Sequence, residues 1–249
     1  MVEKNAGGVQ SVERVLDLLE AMVRSGGPMS LSELAEASSL PLPTIHRLLR
    51  TLTGRSYVRQ LSNRQYALGP RLIPLGEGAG EQLGAFVQPE LARLVAALSE
   101  TANMAVHDGD KVLYISQVPS PHAMRMFTEV GQRVPMHNTG VGKAILAQLD
   151  DDAVRRIIDR AGMPAATERS MTTLDELLED LRVTRERGYA IDDNEQEIGV
   201  RCFAVAVPGS PTPAAVSVSG PISRVDGGFG KRAVPLLRRA ASAIGAELS

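Results

Sequence analysis

Ile45, Leu48, Leu49 and Leu52 recur at i, i+3, i+4 and i+7, and Pro43, His46, Arg47 and Arg50 follow the same spacing one face away. A segment of this kind is a helix pinned by one apolar stripe with its cations turned outward. Its neighbours set its company. Val12, Val15, Leu16, Leu19, Met22 and Val23 predict an earlier amphipathic helix that stops at Ser25-Gly26-Gly27-Pro28. Ser30-Leu31-Ser32-Glu33 has the capping-box pattern and opens a short middle helix through Leu31, Leu34 and Ala35. Ser38-Ser39-Leu40-Pro41 breaks it, and Pro43 suits the first turn of the next helix. After Gly54, Tyr57–Gln60 and Gln65–Leu68 read as short strands around a polar turn that carries Asn63 and Arg64. Three helices and a hairpin in this order predict a winged helix-turn-helix.

Charge says what such a shape would meet. From Ala37 to Gly76 there are six arginines and one histidine but no acid, in a chain of formal charge −2. Residues 1–76 hold nine Lys/Arg against six Asp/Glu, or +3; residues 77–249 hold eighteen against twenty-three, or −5. A basic head on an acidic body points to two units with different partners, the head facing phosphate. Pro43, Thr44, His46, Arg47 and Arg50 are expected to face a major groove, with Arg59, Asn63 and Arg64 reaching the backbone or minor groove from the wing. The bland alternative is an αα-corner with a solvated basic face. The acid-free run and the hairpin favour double-stranded DNA.

At 249 residues the chain has room for two cores. We expect a DNA-binding domain at 1–70, a Gly-rich linker helix at 71–85 and a second domain at 86–249. No apolar run reaches the roughly 18 residues that span a bilayer, and Met1 to Gln10 lacks a signal-peptide pattern, so no membrane partner is expected. Cys202 is the only cysteine, which excludes an intrachain disulfide and suits the cytoplasm. His46, His107, His122 and His137 make no ligand-spaced pair, so neither a metal nor a cofactor is expected.

The second domain reads as mixed α and β. Helices are expected at Gln88–Thr101, from Thr139 through Leu149, at Asp151–Arg160, at Thr173–Arg187 and from about Lys231 to Leu248. Strands are expected at Asn103–His107, Lys111–Val118, Met124–Glu129, Tyr189–Asp192, Arg201–Val207 and Ala214–Ser219. Largely antiparallel strands with helices give the α+β class. The segment Met124–Phe127, with Val134-Pro135-Met136, is a candidate apolar lid.

Thr139-Gly140-Val141-Gly142-Lys143 invites a nucleotide-binding reading and fails it. A phosphate loop needs Gly where His137 stands and Ser or Thr where Ala144 stands; a dinucleotide fingerprint needs Gly in place of Ile145. Two readings remain: a helix N-terminus whose free amides hold a small anion, or glycines that permit close packing. Cys202 lies in an apolar strand, where a lowered pKa and nucleophilic chemistry are not expected. Asp192, Glu195 and Glu197 form an acidic run of the sort found in solvated turns.

With these residues assembled, the chain resembles the IclR family of bacterial transcription regulators along essentially its whole length. The carrying residues are Leu42-Pro43-Thr44-Ile45-His46-Arg47-Leu48-Leu49, Gly140-Val141-Gly142-Lys143-Ala144, the stretch from Gly188 through Asp192 and Glu195 to Cys202 and Ala204, and Ser217-Val218-Ser219-Gly220. The resemblance implies a winged helix-turn-helix, a linker helix and a GAF-like effector-binding domain. It implies a homodimer or pair of dimers on a palindromic operator, and a small organic acid, of glyoxylate type as in the allantoin and glyoxylate regulators, as effector. By the same motifs the carboxylate meets the amides of Gly140 and Val141, with Asp192, Cys202, Ser217 and Ser219 lining the rest. Phe203 and the late Pro208 depart from the family pattern, which bears on where that strand ends. The alternatives are a carboxylate-processing enzyme using Cys202 and Asp192, and a thiol-based redox sensor.

Overall fold

The chain begins with α1 (Gln10–Ser25), α2 (Leu31–Ser38) and α3 (Leu42–Gly54), followed by the hairpin of β1 (Val58–Gln60) and β2 (Tyr66–Leu68). The computed structural model describes residues 8–125 and 128–249, and the chain divides into two compact units between Gly80 and Glu81. In the first unit the capping box forms as its spacing requires. Ser30 N–H donates to Glu33 Oε2 at 2.6 Å, and Glu33 N–H donates to Ser30 Oγ at 3.3 Å. Leu18, Met22, Leu34, Ile45, Leu49, Leu52 and Val58 make the core of this unit. The hairpin pairs Val58 with Leu68 and Gln60 with Tyr66. Two backbone bonds between Met29 and Tyr66, at 2.8 and 2.7 Å, tie it to the turn before α2.

α4 (Leu72–Leu98) is one helix of 27 residues where the sequence suggested two. Its glycines and Pro89 weaken it locally, but Val87, Leu91, Leu94 and Leu98 bury one continuous stripe in the second unit's core, and tertiary packing overrides propensity.

The second unit is built on β3 (Thr101–Asp108), β4 (Lys111–Val118), β5 (Arg133–Pro135), β6 (Ala190–Asp193), β7 (Val200–Val207) and β8 (Ala214–Pro221). They form one antiparallel sheet in the order β5-β4-β3-β8-β7-β6. α4 and α8 (Gly227–Leu248) cover one face through Met104, Phe203, Val205, Val216 and Val218. α5 (Gly140–Leu146), α6 (Asp151–Ala161) and α7 (Leu174–Arg187) belong with the opposite face, whose sheet residues are small: Ala105, Ala190, Ala204 and Ala215. The described chain is thus a winged helix-turn-helix followed by an α/β domain, as the element pattern predicted.

Some details differ. The strand expected at Met124–Glu129 is absent: Met124, Arg125, Thr128 and Glu129 are irregular, while Met126 and Phe127 lie outside the described residues. The edge strand is β5 instead. Its Val134, with Met136 just beyond, is buried in the core around Tyr114, so those two residues are not part of a lid. α8 starts at Gly227, four residues early, because the Asp226 carboxylate accepts from Phe229 N–H at 2.7 Å and caps it. β7 ends at Val207, directly before Pro208, and Phe203 faces the α8 side beside Phe229, away from the small-residue face. Among the described residues no helix is long and apolar enough to cross a membrane.

Leu49 is buried among α3's core residues. Leu49→Ala should cost the first unit about 2–5 kcal/mol. In a denaturant titration followed by hydrogen exchange, amides of α1–α3 should open earlier while those of β3, β7 and β8 keep their protection. Equal loss in both units would contradict the division.

Candidate DNA-reading face and effector site

On α3 the apolar stripe is buried and the polar one is bare. Pro43, His46, Arg47 and Arg50 are exposed, and Thr44 is half-buried at the N-terminal end. Arg59, Asn63 and Arg64 are exposed on the hairpin. Among the described residues no ion pair involves Arg47, Arg50, Arg59 or Arg64. Four unneutralised guanidinium groups in one small unit favour a polyanion. Asn63 differs from its neighbours in one respect. Its side chain accepts from Gln65 N–H at 3.1 Å and donates to Gln65 Oε1 at 2.7 Å, so it holds the turn. That turn puts Arg64 at φ 65, the left-handed region, at the tip. Gln60, not among the expected contact residues, joins His46 and Arg50 in lining a cleft of about 410 Å³ between α3 and the hairpin.

In the second unit the sheet register assembles the other expected residues. Asp192 lies opposite Cys202, Cys202 opposite Ser219, and Ser219 opposite Thr101. The next row runs Ala204, Ser217, Asn103, Gln117. Directly opposed residues share a face, so this is a polar floor at one end of the small-residue face. Asp192, Cys202, Ser217 and Ser219 are all there, as the motif match required. Thr101, Asn103 and Gln117 were missed, although Thr101-x-Asn103 and Ser217-x-Ser219 show the same period of two. Asn103 Oδ1 accepts from Gln117 Nε2 at 3.1 Å and from Thr128 Oγ1 at 2.8 Å. Gln117 and Thr128 are also hydrogen-bonded to each other.

α5 stands over this floor. A Cβ on Gly140 would come within 2.7 Å of Cys202 Sγ, and one on Gly142 within 2.3 Å of the Met136 carbonyl oxygen. Both glycines therefore permit close packing, which accounts for one of the two readings of this motif. The helix start keeps its own chemistry. Thr139 Oγ1 accepts from Gly142 N–H at 3.2 Å, and Lys143 N–H reaches Thr139 O at 2.9 Å. The amides of Gly140 and Val141 are those a first turn leaves without an intrahelical acceptor. Asn138, one residue earlier, is buried with neither amide atom hydrogen-bonded.

Of the acidic run, Glu197 is exposed in a turn as expected, but Asp192 and Glu195 are not solvated. Glu195 is buried, and Lys143 Nζ, itself 1% exposed, donates to Glu195 Oε1 at 2.6 Å and lies 3.3 Å from Asp180 Oδ2. Burying that ammonium alone would cost several kcal/mol, so the carboxylates are required company. Asp192 Oδ1 accepts from Glu195 N–H at 2.9 Å and Gln196 N–H at 3.3 Å. Burial nevertheless pushes the Asp192 carboxyl up to about 7, with the Glu195 charge adding to it and the amide donors and Lys143 opposing. Burial likewise pushes the Cys202 thiol up to about 12, with the Asp192 charge adding. A thiol held protonated is a poor nucleophile and a slow redox sensor, which disfavours both alternatives to an effector pocket. Among the described residues no cluster of His, Cys, Asp and Glu is arranged to hold a metal ion.

A winged head with unpaired arginines, joined to a domain with a buried polar floor, defines a ligand-responsive DNA-binding regulator of transcription. Comparison with known proteins makes the class specific. Residues 11–62 match the IclR helix-turn-helix domain, and residues 81–246 match the C-terminal domain of bacterial IclR regulators. The chain belongs to the IclR family. It is 40% identical over 226 residues to the transcriptional repressor IclR of Escherichia coli, covering 88% of this chain and 82% of that one. It is 33% identical over 224 residues to the repressor AllR of E. coli, again covering 88% and 82%. The crystal structure of an IclR regulator from Alicyclobacillus acidocaldarius superposes with a TM-score of 0.72 at 30% identity, covering 98% of this chain and all of that one. These relatives are regulators, not enzymes, and the catalytic alternative falls with them.

Asp192 holds its proton to about 7 in the fold, against 3.8 for the ordinary carboxyl. Its contribution is therefore fully present below about 3.8 and is lost as pH rises towards 7, because the folded state binds more protons across that window. Denaturant titrations between pH 4 and 8 should show stability falling less steeply in Asp192→Asn than in the natural chain. An unchanged slope would mean that Asp192 is ionised throughout.

Proposed function

We propose that this regulator is a repressor whose hold on a palindromic operator is set by a small organic acid lodged over the polar floor. The observation that carries the effector half is that floor itself. Asp192, Cys202, Ser217, Ser219, Thr101 and Asn103 are buried together on one face of a sheet whose opposite face is largely apolar. This set of hydroxyl, carboxyl and amide groups suits a short carboxylate of about the size of glyoxylate. In this reading the carboxylate accepts from the amides of Gly140 and Val141, and Ser217 and Ser219 supply hydroxyl donors. Asp192, whose carboxyl burial pushes up to about 7, is partly protonated near neutral pH and in that form donates rather than repels.

The DNA half rests on α3 and the wing. Arg47 and Arg50, with Thr44 and His46, read or brace the major groove beside Pro43, while Arg59 and Arg64 hold the backbone and Asn63 shapes the wing turn. Assembly as a homodimer, or a dimer of dimers, has support from α1. Val9 just before it, and Val12, Leu16 and Val23 on it, are exposed at intervals of three, four and seven, an apolar stripe beside the one that packs inward. A palindromic operator needs two heads. The repressor assignment draws on the names of the relatives, and the cytoplasm on DNA as partner.

Arg47→Ala should weaken operator binding by about 1–3 kcal/mol and relax preference at one base position; affinity equal to the natural chain's would remove Arg47 from the interface. Ser217→Ala combined with Ser219→Ala should abolish the response to glyoxylate, scanned beside other C2–C4 acids by thermal shift and gel retardation, with operator affinity kept. A response that persists would clear these serines of any part in binding.

A further inference from the structure

Just beyond the end of α4 a buried carboxylate sits beside the strands that carry the polar floor. Ser99 closes α4 at φ 61, and Glu100, 2% exposed, stands between that helix and Thr101, the first floor residue of β3. The Glu100 carboxylate pairs with the Arg224 guanidinium through two nitrogens, Nη2 donating to Oε2 at 3.0 Å and Nε donating to Oε1. Arg224 Nη2 also donates to the Met124 carbonyl at 2.9 Å, in the β4–β5 connection. From that same connection, Ser120 Oγ donates to Ser99 O at 2.6 Å and Ser120 N–H to Thr101 Oγ1 at 3.1 Å.

The seat of the carboxylate is Gly220. A Cβ there would stand 2.3 Å from Glu100 Oε2, and Gly220 is the residue directly after Ser219 on β8. One strand therefore carries a floor hydroxyl and, one residue on, the surface on which Glu100 rests. Any shift of β8 on ligand entry moves the seat of the group that ends α4. The bidentate pair makes Glu100 stiff rather than yielding, since a guanidinium fork fixes distance and direction together.

We propose that Glu100, clamped by Arg224 and seated on Gly220, is the positioning residue through which occupancy of the polar floor reaches α4. This rests on the effector reading above. Glu100 follows α4's last residue, Leu98, by two positions, and its carboxylate rests on the strand of Ser217 and Ser219, so it biases the helix without contacting ligand or DNA. Coupling of this kind is reciprocal, and α4 is the element that continues from this unit past the Gly80–Glu81 division towards the hairpin.

The test compares full-length Glu100→Gln, Arg224→Ala and Arg224→Lys with the natural chain, using glyoxylate as probe. Calorimetry gives probe affinity, and fluorescence anisotropy gives operator affinity with and without it. Glu100→Gln and Arg224→Ala should bind the probe within about threefold of the natural chain, yet lose most of the probe's effect on operator affinity, roughly tenfold or more of coupling. Arg224→Lys, which keeps the charge, should restore part of it; a merely structural role would not track charge in this way. Undiminished coupling in Glu100→Gln and Arg224→Ala overturns the proposal, as does loss of probe binding in step with coupling. Should the natural chain itself ignore glyoxylate, the effector reading fails separately. The clamp is then judged on ligand-free protein, where Glu100→Gln must shift operator affinity by about threefold or more, and equality with the natural chain overturns it. If Arg224→Ala does not fold, Glu100→Gln and Arg224→Lys decide alone.

Discussion

In an antiparallel sheet alternate residues must face opposite sides, and the second unit uses that one constraint for two incompatible jobs. Along β7, Phe203, Val205 and Val207 turn towards α4 and α8, while Cys202 and Ala204 turn the other way; along β8, Val216 and Val218 alternate with Ala215, Ser217 and Ser219. The first set is large and apolar and supplies the core that stabilises the domain. The second is small or polar, and leaves height for α5 to come down until Gly140 rests on Cys202. A one-residue slip would exchange the two sets, putting serines into the core and valines into the pocket. Every polar group of the floor is in place because the apolar face cannot tolerate that slip.

The charges around the floor follow from the same burial. A lone ammonium at Lys143 could not remain ionised there, so Glu195 and Asp180 come with it. With Glu195 charged nearby, a second buried carboxylate is disfavoured, and the Asp192 carboxyl is pushed up to about 7. The result suits an anion better than the count of acids suggests. Near neutral pH Asp192 is partly protonated, and a neutral carboxyl can donate a hydrogen bond to an incoming carboxylate where an ionised one would repel it. Acids that were all ionised would repel the organic acid proposed above, whereas one proton held by burial favours it.

What could be read from the chain follows the range of the interactions involved. The capping box at Ser30 and Glu33, the stripe of Ile45, Leu48, Leu49 and Leu52, and the acid-free run around them are local, and the head was legible in full outline. In the second unit Asp192, Cys202, Ser217 and Ser219 were reached through a motif, whereas Asn103, Gln117 and Thr128 were not reached at all. Their partnership depends on the pairing of β3 with β4, which shifts register between Met104 and Ala105, a feature no local pattern announces. Lys143 and Glu195 are 52 residues apart, so Glu195 looked like one more acid in a turn. The alternation of Met124 to Glu129 resembled a strand, yet the sheet edge went to three residues, Arg133–Pro135, too short to leave a periodic signal. The linker helix at 71–85 and the helix from Gln88 were expected as two, and burial of Val87 and Leu91 in one stripe made them one.

The two halves of the molecule place opposite demands on charge, and that opposition makes the regulator switchable. Among the described residues Arg47, Arg50, Arg59 and Arg64 have no carboxylate partners, so their favourable energy is realised against phosphate, and it weakens steeply with salt. Lys143 has its partners permanently, so its energy is realised in folding. The head is then a unit whose binding can be gained or lost without disturbing the domain that senses the ligand. In the proposed dimer, with two heads on two half-sites, the free energy at stake is that of the second contact once the first is made, which depends on spacing and angle rather than on the chemistry of either head. A ligand that contributes only the 1–3 kcal/mol typical of coupling between sites can therefore separate a paired head from its groove, although it could not displace a single head by competing with its phosphate contacts.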